Sequence, residues 1–208
     1  MRLPEFRPSV AKIRVFRAVH LTIEPGTAFH RDGVQASDGD RGADLWDVTQ
    51  EVTSDAGLAA YEISNHACPG AACRHNVAIW QGGDYIGVGP GAHGRLNRAG
   101  VTEATRQVRA PDPWLAAVET AGHGTADRTS LGAMERAEEL LMLGLRLADG
   151  IDRRRFHACT GTTVDSVVDA GGLARMIDGG FIEDAGTHLR ATLQGRPRLD
   201  AVLRQLLT

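Results

Sequence analysis

Three observations predict an α/β fold that ends in a winged-helix-like domain. A β-branched stretch, an amphipathic helix and a second apolar stretch follow one another between Lys12 and Ser64, which is the order of a βαβ crossover and so of a parallel sheet. A long loop of Gly, Ala, Pro and polar residues over 66–82 follows the second strand, and loops of that length inside compact domains are more often functional than not. From Ser130 onward the pattern becomes helix, helix, helix, hairpin, helix.

The elements follow in order. Lys12 to Pro25 runs through Ile13, Val15, Val19, Leu21 and Ile23 and stops at Pro25-Gly26, so it reads as a strand. Ala43 to Ala56 sets Leu45, Val48, Val52 and Ala56 three and four apart, one face of a helix ended by Gly57. Leu58 to Ser64 reads as the second strand and Asp84 to Val88 as a third, before the glycine-rich run from Gly87 to Ala92. Val101 to Arg109 is a further strand, followed by a proline break and a short helix over Trp114 to Thr120. A leucine-rich helical stretch then runs from Ser130 toward Gly150. Short helical patterns over Asp152 to Ala158 and Val164 to Ile177 precede a hairpin from Gly180 to Arg190, and the closing helix carries Leu199, Val202, Leu203, Leu206 and Leu207. The expected domains are 1–125 and 126–208.

At 208 residues, with 42% hydrophobic and 24% charged side chains, the chain is long enough to bury a sizeable core. No run approaches the ~20 apolar residues of a membrane-spanning helix, and the first residues lack the apolar stretch of a secretory signal, so a cytoplasmic protein with no integral membrane segment is expected. Only Lys12 among the 23 basic residues is lysine, and 25 positions are glycine; a genome-wide codon bias accounts for both. The odd set Cys68, Cys73 and Cys159 argues against a disulfide framework.

A winged helix suggests DNA, and charge tests the idea. Where a recognition helix would lie, Asp165, Asp169 and Asp178 face a single Arg175, and residues 129–208 hold ten arginines against eleven carboxylates. Phosphate neutralisation supplies most non-specific DNA affinity, so this surface predicts no nucleic-acid partner.

The informative run is YEISNHACPG from Tyr61 to Gly70 followed by CRHNVAIW from Cys73 to Trp80. Asn65, His66, Cys68, Cys73, His75 and Asn76 fall just past the end of a predicted strand, where α/β sheets bind ligands. His66-x-Cys68 and Cys73-x-His75 could offer four zinc ligands, although one-residue gaps on each side strain simultaneous coordination. A polar loop with hydrogen-bonded histidines and inert thiols is the plainer reading of the same residues. The Gly87 to Gly94 run is not a nucleotide loop, because Pro90 and a further turn stand where a helix should open.

LTIEPGT at Leu21 to Thr27, YEISN, CRHN, GGDYIGVGPGAHGR at Gly82 to Arg95 and LLMLGLRLADGID at Leu140 to Asp152 together resemble the HemW family. These are heme chaperones of the radical S-adenosylmethionine superfamily, related to oxygen-independent coproporphyrinogen III oxidase. The resemblance covers about residues 20–208, while residues 1–18 match no part of it. It implies the last strands and helices of a partial (β/α)6 barrel, then the family's winged-helix-like C-terminal domain. Family members hold a [4Fe–4S] cluster on a Cys-x3-Cys-x2-Cys triad and S-adenosylmethionine on its open iron. That triad is absent from this sequence, so both cofactors are expected only in an intact member, and the chain is expected to be a truncated form with no catalytic residue of its own. A missing N-terminal half acting in trans and an acceptor hemoprotein are the partners this implies; the alternative readings are an oxygen-independent coproporphyrinogen III oxidase-like radical SAM oxidoreductase and a ligand-free scaffold fragment.

The resemblance also implies heme as ligand. The family's His-Asn-x-x-Tyr-Trp motif stands here as His75-Asn76-Val77-Ala78-Ile79-Trp80, with isoleucine in place of tyrosine. His75 would ligate heme iron through a neutral imidazole, Trp80 would pack on the porphyrin and Asn76 would line the site. Where the family has Ala-Arg-Pro-Gly the sequence has Ala67-Cys68-Pro69-Gly70, which makes the Cys68 thiolate an alternative or joint axial ligand. Ser64, Asn65, Gly89 and Gly91 would be the remnant of the S-adenosylmethionine lining.

Overall fold

In a computed structural model of the chain, the described residues are 13–18, 23, 25–36, 39–98 and 100–207. They divide into two compact units, Met1–Cys73 and Arg74–Thr208. Parts of the first predicted strand, at 12, 19–22 and 24, and the LTIEPGT motif at 21, 22 and 24 lie outside the described residues.

In the first unit, β1 (Val15–Arg17) is followed by α1 (Ala28–Arg31), α2 (Gly39–Asp55), β2 (Ala59–Ala60) and β3 (Asn65–Ala67). The predicted parallel sheet is corrected by the pairing. β3 lies between β1 and β2 and is antiparallel to both, with Phe16 and Ala60 each opposite His66. β1 and β2 therefore run parallel, as a crossover through α2 requires, but a returning strand occupies the place between them. The return is made at Tyr61–Ser64, where the Tyr61 amide donates to the Asn65 carbonyl at 3.0 Å. The stretch 58–64 is thus a short strand and a turn, not one continuous strand.

Helix α2 corrects a second expectation. Its predicted apolar face, Leu45, Val48 and Val52, is exposed, while Thr53, about 100° further round the helix, is buried. Polar residues face inward because the strand they meet is polar: His66 Nε2 lies 3.3 Å from Gln50 Oε1, and the Thr53 hydroxyl satisfies itself on the Thr49 carbonyl at 2.7 Å.

The second unit opens with α3 (Arg74–Trp80), a helix inside what the sequence presents as a loop. The predicted strand at 84–88 makes only one isolated bridge, Tyr85 to Arg95. β4 (His93–Arg98), β5 (Val101–Gln107) and β6 (Thr125–Ser130) form an antiparallel sheet in that order, and α4 (Pro111–Ala121) connects the last two. Then come α5 (Ala133–Gly144), β7 (Ile151–Asp152), α6 (Arg153–Thr160), a 3-10 turn at Val164–Ser166, α7 (Ala170–Asp178), β8 (Ile182–Asp184), β9 (His188–Ala191) and α8 (Leu199–Leu206). The hairpin pairs Ile182 with Ala191, and β7 joins it through Ile151 opposite Leu189.

The core of this unit is the apolar stripe the leucine spacing predicts. Leu141, Leu145, Val164, Leu189, Val202 and Leu206 are fully buried, each worth about 1.5–3 kcal/mol of transfer from water. Caps set where its helices start. Asp152 caps α6 by accepting from the Arg155 amide at 3.0 Å, and that hydrogen bond, reinforced by the Arg154 amide and nearby positive charge, holds its carboxyl below the ordinary 3.8. Asp169 caps α7 on the Gly172 amide.

Gly172 is also where α7 meets α8, since a Cβ there would stand 1.7 Å from the Gln205 carbonyl oxygen. Gly172→Ala must therefore push two helices apart, and a loss of about 1–3 kcal/mol is expected in a urea melt. An unchanged midpoint would contradict this packing.

Candidate functional site

The motif-bearing helix α3 is seven residues long. Isolated helices shorter than ~12–15 residues are marginal even with good sequences, so this one must be held by its surroundings. Its sequence has no glycine or proline inside and stops at Gln81-Gly82. Gly82 adopts φ +76°, its amide donates to Ile79 O at 2.9 Å, and the Gly83 amide reaches back to Ala78 O at 2.8 Å. This is the left-handed helix ending that favours glycine. A Cβ at Gly82 would also lie 2.3 Å from Leu140 Cδ2, so the turn sits directly against α5.

Three arginines fasten this end. Arg136 of α5 donates through Nη2 to the Gly82 carbonyl at 2.6 Å and through Nη1 to Glu139 at 2.6 Å. Arg155 of α6 donates through Nε to the Gln81 carbonyl at 3.1 Å. The Arg146 guanidinium, just past α5, lies over the Trp80 ring, 4.6 Å from its centroid. Carbonyls at a helix C-terminus lack intrahelical donors and carry the negative end of the helix dipole, so cationic donors are the fitting partners. Arg136 is buried, 4% exposed, and its charge is balanced by Glu139, whose carboxylate is shared with Arg95 of β4 at 2.7 Å.

The first turn of α3 is open by contrast. His75 is exposed, Asn76 is half-buried, and Ile79, four residues on, lies on the His75 face of the helix. Trp80, five residues on, points to a different face, and one side of its ring is already covered by Arg146.

The remaining predicted site residues divide between the two units. Ser64 and Asn65 belong to the first, where the fully buried Glu62 carboxylate organises them: Oε1 accepts from the Ser64 amide at 2.7 Å, the Ser64 hydroxyl at 2.8 Å and Asn65 Nδ2 at 2.5 Å. Cys68, also in the first unit, is half-buried, its thiol 3.9 Å from the Ile13 carbonyl. Gly89 and Gly91 belong to the second unit and lie in the turn before β4, where the Gly91 amide donates to Val108 O at 2.9 Å.

The residues present do not fit an iron–sulfur cluster. Cys68 and Cys73 are half-buried residues of the first unit, and Cys159 is exposed on α6 of the second. Among the described residues no group of three or more His, Cys, Asp or Glu side chains is placed to hold a metal ion. Nor is any described helix long and apolar enough to cross a membrane.

Sequence reasoning missed the arginines altogether. Arg136 lies 54 residues from its acceptor and Arg155 lies 74 from its own, and no local pattern marks such pairs. The one available signal was Gly82, a glycine two residues after the Ile79-Trp80 ending.

With this geometry in place, comparison defines the class. Residues 131–198 match the HemN C-terminal domain, so α5 through the 3-10 turn at Arg196–Arg198, with all three clamping arginines, belong to that segment. The fold resembles that of a solved coproporphyrinogen III oxidase (HemN) from Escherichia coli, described as a radical SAM enzyme, with a TM-score of 0.61 and 13% identity over 82% of this chain and 42% of that one. The chain's homologues are HemW heme chaperones and radical S-adenosyl methionine domain-containing protein 1. Heme chaperone HemW of Mycobacterium tuberculosis is 34% identical over 91% of this chain, and the mouse mitochondrial protein is 39% identical over 66%. The chain spans 46% and 33% of those two proteins respectively.

Glu139 is the centre of the charge network, and its loss leaves the buried Arg136 and its neighbour Arg95 uncompensated. Glu139→Gln is expected to cost about 3–5 kcal/mol in chemical denaturation, as for other buried pairs broken on one side. A cost near zero would show that the network adds nothing to the fold.

Proposed function

We propose that this chain binds heme as cargo in the manner of a HemW-like chaperone, with His75 as the axial ligand. The observation that carries the reading is the exposed imidazole on the open turn of α3, inside the CRHN motif of a chain similar to heme chaperones over nine-tenths of its length. A neutral imidazole nitrogen donates a lone pair to ferric iron, and Ile79 beside it offers apolar surface to one edge of a porphyrin. Because the ligand stands at the surface, heme held there can pass to an acceptor hemoprotein without unfolding the carrier. Asn76 lines the site. Trp80 contributes through α3, which it anchors on Arg146, and through any ring surface left to the porphyrin.

In the same reading, the described strands before α4 are the last part of a partial radical SAM barrel, and 126–208 form the winged-helix-like domain. The cysteines present do not fit the cluster, so no radical step is assigned to this chain. Cys68 is the alternative axial ligand.

Hemin titration followed in the Soret band tests this. His75→Ala is expected to weaken binding at least about tenfold, equivalent to about 1.4 kcal/mol, and to remove the Soret signature of imidazole-ligated ferric heme. Cys68→Ala should leave that signature in place. An unchanged Soret band in the doubly substituted chain would reject heme ligation by either residue.

A further inference from the structure

We infer that the HemN C-terminal segment acts as a clamp for the motif helix, with Arg146 and Arg155 as positioning residues for His75. The inference rests on the heme reading and adds to it a reason for the second half of the chain. Three observations support it together. The helix that bears His75 is too short to persist alone. Arg136 of α5 and Arg155 of α6 donate to the carbonyls of Gly82 and Gln81, the two residues that follow the helix, and the ring that ends it lies under Arg146. The turn itself lies against the Leu140 side chain of α5, with Gly82 at φ +76°, a conformation that favours glycine.

The consequence is directional. Holding a helix at its C-terminal turn fixes the axis and the rotation of the whole helix, because its hydrogen bonds run from end to end. His75, at the other end, is therefore aimed by residues that never touch the ligand. A histidine on a loop would pay ordering entropy when iron arrives, whereas a clamped one has already lost that freedom. The three contacts differ in what else they do. Arg136 is buried in a charge network and also supports the fold, so its removal confounds two effects. Arg155 is exposed and Arg146 is half-buried, which makes them the informative positions.

The test is a double-mutant cycle in the full chain, read by hemin titration with the Soret position and the ferric paramagnetic resonance signal recorded at saturation. Arg155→Met and Arg146→Met are each expected to weaken hemin binding about three- to tenfold, the size of one lost hydrogen bond or cation–π contact, and to broaden the ferric signal. In the His75→Ala background the same substitutions should have no further effect, because the residue they aim is gone. Arg155→Lys, which keeps a donor for the Gln81 carbonyl, should recover part of the loss. Thermal melts of each variant separate weakened binding from unfolding. If Arg155→Met and Arg146→Met bind hemin as the parent does while His75→Ala loses it, the clamp is wrong and the heme reading stands. Equal losses with and without His75 also overturn the clamp, since the arginines would then act elsewhere. If His75→Ala itself binds hemin normally, the heme reading fails first and the clamp has nothing to aim.

Discussion

The buried guanidinium of Arg136 is the constraint on which the second unit depends. A charge so far from water needs compensating partners, and here one arm meets the Glu139 carboxylate and the other the Gly82 carbonyl, while Nε is buried without one. Glu139 in turn binds Arg95, so one carboxylate ties β4 to α5 and, through Arg136, to the end of α3. Such networks specify geometry more than they add stability, because desolvation offsets much of the Coulomb attraction. What this one specifies is where a seven-residue helix ends.

That constraint gives the match to the HemN C-terminal domain a physical meaning. The matched segment supplies its own core of leucines and valines, and also three cationic side chains directed at α3. Its Asp152 cap shows the same economy: the carboxylate fixes the Arg155 amide in the first turn of α6, and the side chain of that residue reaches the Gln81 carbonyl. Charge placed this way serves internal contacts. Arg153 follows the pattern, bonded to Asp165 and Asp184, and Arg190 pairs with Glu183 across the hairpin.

The second half of the chain was legible because its signals are local. Leucines three and four apart on α5 and the apolar runs about the glycine turn at 186 each act within a few residues, whereas the pattern expected over Val164 to Ile177 is broken at the Asp169 cap into a 3-10 turn and α7. The first half was less so. β4 and β6 are rich in Arg, Asn, Asp and Thr, which carry no alternating apolar pattern, and their pairing with β5 comes from the sheet and not from propensity. The 84–88 stretch reads like a strand, but among the described residues it is bridged only at Tyr85. α2 misled because its apolar stripe is real and faces outward, while the inward face is chosen by the polar residue His66 on β3. At the site, the motif residues were readable from their identity. Their support was not, since a helix embedded in a glycine-rich loop and held by arginines from 54 to 74 positions away leaves no periodic trace.

Amide hydrogen exchange over residues 74–83 tests most directly whether the C-terminal arginines hold the motif helix. In the parent chain, protection of the Gln81, Gly82 and Gly83 amides should approach that of α5. In a chain carrying both Arg146→Met and Arg155→Met, those amides should exchange far faster while α5 and α8 keep their protection. Unchanged protection of the helix in that variant would contradict the account, because α3 would then be standing on contacts other than the ones described.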